Sequence, residues 1–298
     1  MAHLRSGTAD SDFAVASRPP TVSSVAVTVL LLALLAALYA PIVPDLVRDW
    51  WDDANYSHGF LVPLFSAVLV YKRRAAIAAL TPRGSLWGLP VIALGAAAFV
   101  LGQVGAEDFV SRSSLVVVAA GMIWFHFGGA MLRVLAFPLG FLMFMIPLPA
   151  VVFYAAAFPL QTLAAKNAAW VLDHLGVPVL LDGNIIHLSH ISLGVTEACS
   201  GIRSLISLLA LALAWAALSM PGVLAMSIFG AVTIPITIVA NAARVVMTGF
   251  VGQWFGRRYA EGFFHEFSGW LIFIVAFLCL FGIDRILRLL LRRLGSAR

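Results

Sequence analysis

The 298-residue chain is 62% hydrophobic and only 11% charged, under half the roughly 25% charged content of a water-facing domain. With a mean hydropathy of +0.99, 21 Phe and 8 Trp, this excludes a soluble globular fold and points to an all-α polytopic membrane protein. Two cysteines exclude a disulfide scaffold. A net charge of +5 scattered through short loops reads as membrane topology, with no nucleic-acid partner.

Residues 1–20 combine Gly, Ser, Pro and alternating charge and are expected to form a disordered cytoplasmic tail. The rest, 21–298, is expected to be a single transmembrane catalytic domain. The apolar run after Arg18 is too long for a signal-peptide core and lacks a small-x-small cleavage site before Pro41, so it reads as a retained helix. Segments near 22–43, 58–71, 85–104, 113–128, 133–150, 201–219, 223–247 and 267–290 clear or approach the roughly 20 residues needed to cross the hydrocarbon, which predicts about eight spans. The second is short, extends back through Tyr56 and stops at Lys72, Arg73 and Arg74. Segment 151–175 is broken by Lys166, Asn167, Asp173 and His174 and reads as an outward-facing interfacial helix. Between 177 and 195, β-branched alternation around Asp182, Gly183 and Asn184 predicts a small outward-facing β-hairpin.

The positive-inside rule sets the orientation. With eight spans and a cytoplasmic N-terminus, the inner side holds Arg5, Arg18, Lys72, Arg73, Arg74, Arg83, Arg133, Arg285, Arg288, Arg292, Arg293 and Arg298, which is 12 of the 19 basic residues. Of the 14 acidic residues only Asp10, Asp12 and Asp284 fall inside. A ninth span at 151–175 would export the terminal Arg cluster, so eight spans with both termini cytoplasmic are preferred.

An ionisable group at membrane depth is costly and is a functional candidate by default. Cys199, Arg244 and His265 stand out. Spans six and seven turn at Pro221, which lies 22 residues after Cys199 and 23 before Arg244. Equal rise along two antiparallel helices brings both residues to one height, about 33 Å from the turn. His265 precedes span eight on that same outer side. Cys199 opens a helix, whose free N–H groups favour a thiolate; the alternative is a small buried hydrophobe. Arg244 offers a donor fork suited to a carboxylate or a developing oxyanion, or else snorkels to lipid phosphate. His265 can take a thiol proton and return it to a leaving amine, or can simply cap a helix.

Asn241 lies one turn before Arg244. Arg203, at i+4 from Cys199, lies beside the thiolate or pairs with Glu197. His58, next to Tyr56, binds substrate or anchors span two at the interface. His187 and His190 lack a third ligand at metal spacing, so neither metal nor cofactor is expected. His126 reads as part of an interfacial aromatic belt. Cys279, between Leu278 and Leu280, reads as inert packing.

The sequence resembles the exosortases, multi-spanning cysteine transpeptidase-like enzymes of bacterial inner membranes. The resemblance is carried by Glu197, Ala198, Cys199, Ser200, Gly201, Ile202, Arg203 and Ser204, by Asn241 to Val245, and by His265 followed by Ser268, Gly269 and Trp270. Tyr56, Ser57, His58 and Gly59 and the stretch from Phe144 to Pro149 add to it. The resemblance implies Cys199 as nucleophile, His265 as acid/base and Arg244 as stabiliser of the tetrahedral intermediate, with Asn241, Arg203, Glu197, His58 and Tyr56 in support. It also implies as partners exported proteins with a C-terminal motif such as Pro-Glu-Pro, a transmembrane helix and a basic cluster, beside membrane lipid. Many family members carry an appended C-terminal periplasmic domain; this sequence runs only 28 residues past Trp270, and none is expected here. A polytopic transporter or a scaffold of a polysaccharide-export system is the competing reading, weakened by the nearly charge-free centres of spans three to five and by the absence of a two-half repeat.

Overall fold

A computed structural model of the protein describes residues 22–195, 199–220, 222–261 and 263–295. The expected tail and Glu197 lie outside the described residues. The chain divides into two units at Pro44 and Asp45. The first holds helix α1 (Val22–Tyr39), an unbroken apolar run on which Val29, Leu30 and Leu34 are exposed.

The second unit is mostly helical. Helix α2 (Ile42–Asp52) enters it with Asp45 in its first turn, where a carboxylate complements free N–H groups. Leu46 and Trp50, four apart on one face, are buried. A 3-10 turn (Ser57–Phe60) leads into α3 (Leu61–Lys72) and the short α4 (Arg74–Ala78). Then come α5 (Gly88–Val104), α6 (Asp108–Phe127) and α7 (Gly129–Phe141), which runs into a second 3-10 turn (Leu142–Met145) and, past a break, into α8 (Ala150–His174). Strands β1 (Val179–Asp182), β2 (Ile185–Leu188) and β3 (Ser192–Gly194) precede α9 (Ile202–Ser219), α10 (Val223–Phe255), α11 (Arg257–Glu261) and α12 (Phe263–Gly295).

Among the described residues four helices are long and apolar enough to cross a membrane: Asp108–Phe127, Ile202–Ser219, Val223–Phe255 and Phe267–Leu289. The pair Gly129–Met145 and Ala150–His174, bent by 80°, makes a fifth if counted as one broken span. The expectation of eight therefore exceeds what helix length and composition carry. Three of the other expected spans fall on α1 and on the shorter apolar stretches Ser57–Lys72 and Gly88–Val104. The segment read as interfacial is a continuous 25-residue helix.

Glycine spacing explains the tight α5–α6 hairpin. Gly88, Gly95 and Gly102 recur every seventh residue, and a Cβ there would come within 2.4 Å of Phe125 N, 2.6 Å of Val118 Cγ2 and 2.5 Å of Ser111 N respectively. With lipid as apolar as leucine, close backbone approach between small residues is what holds such helices together. At the start of α6 the buried Arg112 pairs with Asp49 of α2 at 2.5 Å and with Asp108 at 3.2 Å.

Two interruptions of the helices free backbone groups that side chains take up. Pro138 inside α7 has no N–H, which leaves the Val134 carbonyl without its usual i+4 donor. Arg73 Nη1 donates to that oxygen at 3.0 Å, and Ser66 Oγ donates to Pro138 O at 2.9 Å. The break between α7 and α8 contains Pro147 and Pro149 and is held by three residues from the α2–α3 region. Trp50 Nε1 donates to Met145 O at 2.7 Å, and His58 Nε2 bonds Phe144 O at 3.1 Å. Tyr56 Oη accepts from Leu148 N at 3.1 Å. His58 Nδ1 also meets Ser207 Oγ of α9 at 3.3 Å. A carbonyl only accepts, so the Nε2–H tautomer with Ser207 donating to Nδ1 satisfies both bonds.

The expected hairpin is present within residues 177–195, and a third strand joins it. β1 and β2 pair antiparallel from Val179 opposite Leu188 to Asp182 opposite Ile185, with Gly183 at φ 59° in the two-residue turn. β3 adds a third strand on β2, with Ile185 opposite Gly194. Ile186, Leu188, Leu193 and Val195 pack with Ala164, Ala165, Ala168 and Leu172 of α8 and Val245 of α10. A separate core joins α9, α10 and α12 through Leu208, Ala212, Ala216, Phe229, Ala276 and Leu280.

Two outcomes follow from this packing. Replacing Gly102 with Leu forces the α5–α6 backbones apart and is expected to lower stability by about 1–3 kcal/mol, measured as the thermal midpoint of the detergent-solubilised protein. His58→Leu strips the break of a donor and is expected to cost about 1–3 kcal/mol, whereas His58→Gln, whose amide can still reach Phe144 O, recovers most of it. Equal losses in both variants would mean that the bond to Phe144 is immaterial.

Candidate functional site

The turn that delivers Cys199 is built by its neighbours. Gly201 has φ 82°, a left-handed conformation that a Cβ disfavours, and an added Cβ would come within 2.8 Å of Asn241 Cγ. Ser200 Oγ accepts from Ile202 N at 3.3 Å, and Leu205 N reaches back to Gly201 O at 2.8 Å. Helix α9 therefore begins at Ile202, and Cys199 lies in the turn just ahead of it. Its thiol is half-buried against the cluster of α8, the sheet and α10.

Asn241 ties this turn to α10. Its Nδ2 donates to Cys199 O at 2.7 Å, and the side chain is buried. The bond agrees with the equal heights inferred from counting residues to Pro221. One turn on, Arg244 Nε donates to Ser268 Oγ of α12 at 3.4 Å, and its Nη2 lies 3.3 Å from where a Cβ on Gly269 would stand. Gly269 thus leaves room for the guanidinium plane. Cys199 and Arg203 are both electrostatic neighbours of Arg244. Arg203 Nε donates to Asn55 Oδ1 at 3.0 Å, which brings the α2–α3 connection to the site.

His265 lies in the first turn of α12, three residues before Ser268 and four before Gly269, the residues that Arg244 touches. Helical spacing puts all three positions on one face. The His265 side chain and the whole of Glu197 lie outside what is described. Cys199, Asn241, Arg203 and Arg244 thus come together on three elements, while His58 and Tyr56 are engaged at the α7–α8 break. Cys279, expected to be packing, is exposed on α12 and belongs to no core.

Several residues of the site were not singled out by sequence. Asn55, Ser207 and Trp50 carry no spacing signal because their partners lie 148, 149 and 95 positions away. Ser268 and Gly269 were visible only as a motif beside His265. Among the described residues no three His, Cys, Asp or Glu side chains converge as a metal site, and His187 Nδ1 bonds Ser192 Oγ at 2.8 Å.

The clamp on the cysteine turn is testable apart from any activity. Asn241→Leu leaves the Cys199 carbonyl without its donor and is expected to raise the rate at which a membrane-impermeant maleimide labels Cys199, by about tenfold, as the turn opens more often. Gly201→Ala, strained at φ 82° and crowded against Asn241, should act in the same direction. Labelling unchanged in both variants would count against the clamp.

The family model described as transmembrane exosortase (Exosortase_EpsH) matches residues 50–282. No curated protein and no solved structure matches the chain. The matched stretch takes in the α2–α3 connection, the α7–α8 break, the cysteine turn, Asn241, Arg244 and the start of α12, and the chain belongs to the transmembrane exosortase family.

Proposed function

We propose that the protein is a membrane-embedded cysteine peptidase or transpeptidase that cleaves the C-terminal sorting signal of exported proteins. The substrate class is the one its family resemblance implies, a tail with a Pro-Glu-Pro-like motif, a transmembrane helix and a basic cluster. In this reading the protein sits in a bacterial inner membrane with both termini cytoplasmic and Cys199 on the periplasmic side. The observation that carries the reading is the juxtaposition of Cys199 with Arg244, one held by Asn241 and the other by Ser268.

The steps follow from the groups present. The Cys199 thiolate attacks the peptide carbonyl beside the substrate helix, and negative charge develops on the carbonyl oxygen. Arg244, carried by α10, bonded to Ser268 of α12 and permanently cationic, receives that charge. The C–N bond breaks as His265, protonated, donates to the leaving amine, and a thioester remains on Cys199. A second nucleophile gives its proton to His265, attacks the thioester and releases the exported product while the thiolate leaves.

Cys199→Ala is expected to abolish processing of a co-expressed tail-bearing substrate with membrane insertion intact, whereas Cys279→Ala should process normally. Arg244→Lys keeps the charge and loses the fork, and a fall of about 10²–10³ in turnover is expected. Intact processing by Cys199→Ala would sink the nucleophile assignment. Mass-spectrometric capture of an acyl adduct on Cys199 supports it directly.

A further inference from the structure

Between the α2–α3 connection and the start of α8 lies a cavity of about 270 Å³ whose lining includes Asp49, Asp53, Asn55, Tyr56, Phe153 and Tyr154. Its charge is easily reckoned. Asp49 is neutralised by the buried Arg112 at 2.5 Å. Asp53 Oδ1 accepts from Asn55 N at 2.8 Å, and the carboxylate makes no ion pair among the described residues. One negative charge therefore stands uncompensated beside three aromatic rings, with Phe153 and Tyr154 edge to face at 5.5 Å and Tyr56 6.4 Å from Phe153.

Helix α2 sets the depth of this cavity. Val47 and Trp51, one turn apart, are exposed and apolar, while Asp45, Asp49 and Asp52 follow another side of the helix. A helix divided in that way lies in the plane of the membrane surface, its apolar side toward the acyl chains and its acidic side toward water. On α8, Val151 and Val152 are likewise exposed between the lining residues Ala150 and Phe153. Tyr154, also exposed, has the apolar ring and polar tip typical of side chains at headgroup level. The cavity therefore stands where phospholipid headgroups meet the protein.

The lining selects among headgroups. An anion is repelled by Asp53, and a purely apolar group would desolvate the carboxylate without replacing its hydrogen bonds. A cation that carries N–H groups gains twice, by donating to the second oxygen of Asp53 and by lying against the electron-rich ring faces. A quaternary ammonium has only the second of these gains. The volume exceeds that of several waters, at about 30 Å³ each, and so admits an ammonium on a two-carbon stem that carries its phosphate clear of Asp53.

We propose that this cavity is a headgroup site for a phospholipid bearing a primary ammonium, of the ethanolamine type, taken non-covalently from the leaflet that α2 touches. The bound headgroup bridges Asp53 of the α2–α3 connection and the rings of Phe153 and Tyr154 on α8. No cysteine chemistry is involved, so the site stands or falls separately from the activity proposed above.

The test uses the full chain, stripped of lipid in a neutral detergent and given equal amounts of phosphatidylethanolamine and phosphatidylcholine, with native mass spectrometry counting the lipid retained. The ethanolamine lipid is expected to be retained about tenfold over the choline lipid, the difference that one charge-assisted hydrogen bond makes. Asp53→Asn is expected to bring the ratio to parity, and Tyr154→Leu to lower it in the same direction. Asp52→Asn removes the same charge one residue away, at an exposed position outside the lining, and is expected to keep the preference. As a ratio read on intact protein, the result does not depend on how much of each variant folds. Equal retention of both lipids by the unaltered protein overturns the proposal, as does a ratio unchanged in both Asp53→Asn and Tyr154→Leu. A preference lost equally in Asp52→Asn and Asp53→Asn overturns it too, because general surface charge then reads the headgroup. Soluble ethanolamine against neutral N-acetylethanolamine separates the sources of the ammonium. A thermal midpoint raised by ethanolamine alone, in a protein that retains both lipids equally, assigns the cavity to a soluble amine and overturns the lipid.

Discussion

A backbone carbonyl or amide without a partner costs several kcal/mol in apolar surroundings, and inside a bilayer no water can supply one. The break between α7 and α8, with Pro147 and Pro149, exposes such groups in the middle of an apolar chain. Trp50, Tyr56 and His58 answer with bonds to Met145, Leu148 and Phe144. The same three bonds fix the α2–α3 connection, and with it Asn55, against the rest of the molecule. The site depends on this, because Asn55 holds Arg203 and His58 reaches Ser207, both on the helix that follows Cys199.

The cysteine turn obeys the same constraint at a second place. A chain entering a helix through a left-handed glycine leaves the carbonyls ahead of it outside the helical ladder, and Asn241 donates to the one at Cys199. A side chain that satisfies the backbone of the cysteine turn also stands one helical turn from Arg244. Structural need and chemical placement therefore coincide on α10. On α12 the pairing is steric as much as polar, since Ser268 accepts from Arg244 and Gly269 makes room for the guanidinium.

Small residues set the remaining distances. The seven-residue glycine repeat of α5 draws α6 in to backbone contact, and alanines line α8 and α9 where the sheet and α10 lean on them. Without a hydrophobic drive between helices in lipid, such close approach carries the packing. The exposed large side chains of α1 and α10, among them Val29 and Val239, are then the expected outer surface of an apolar molecule.

Much was legible in the residues themselves. Composition dictated the membrane class, because the balance of apolar and charged groups decides which solvent a chain can face. Gly183 between β-branched runs announced the hairpin, and counting from Pro221 put Cys199 and Arg244 at one height, because helix rise is constant. Span number was less legible, since a span is a matter of length and tilt, and proline breaks divide apolar runs that composition leaves continuous. The third strand, three residues long, is too short for any periodicity. The pairings of Asn55 with Arg203, His58 with Phe144 and Asn241 with Cys199 were left to the tertiary structure. A hydrogen bond across 148, 86 or 42 positions has no period and no spacing rule, and only the folded backbone decides which donor meets which orphaned carbonyl.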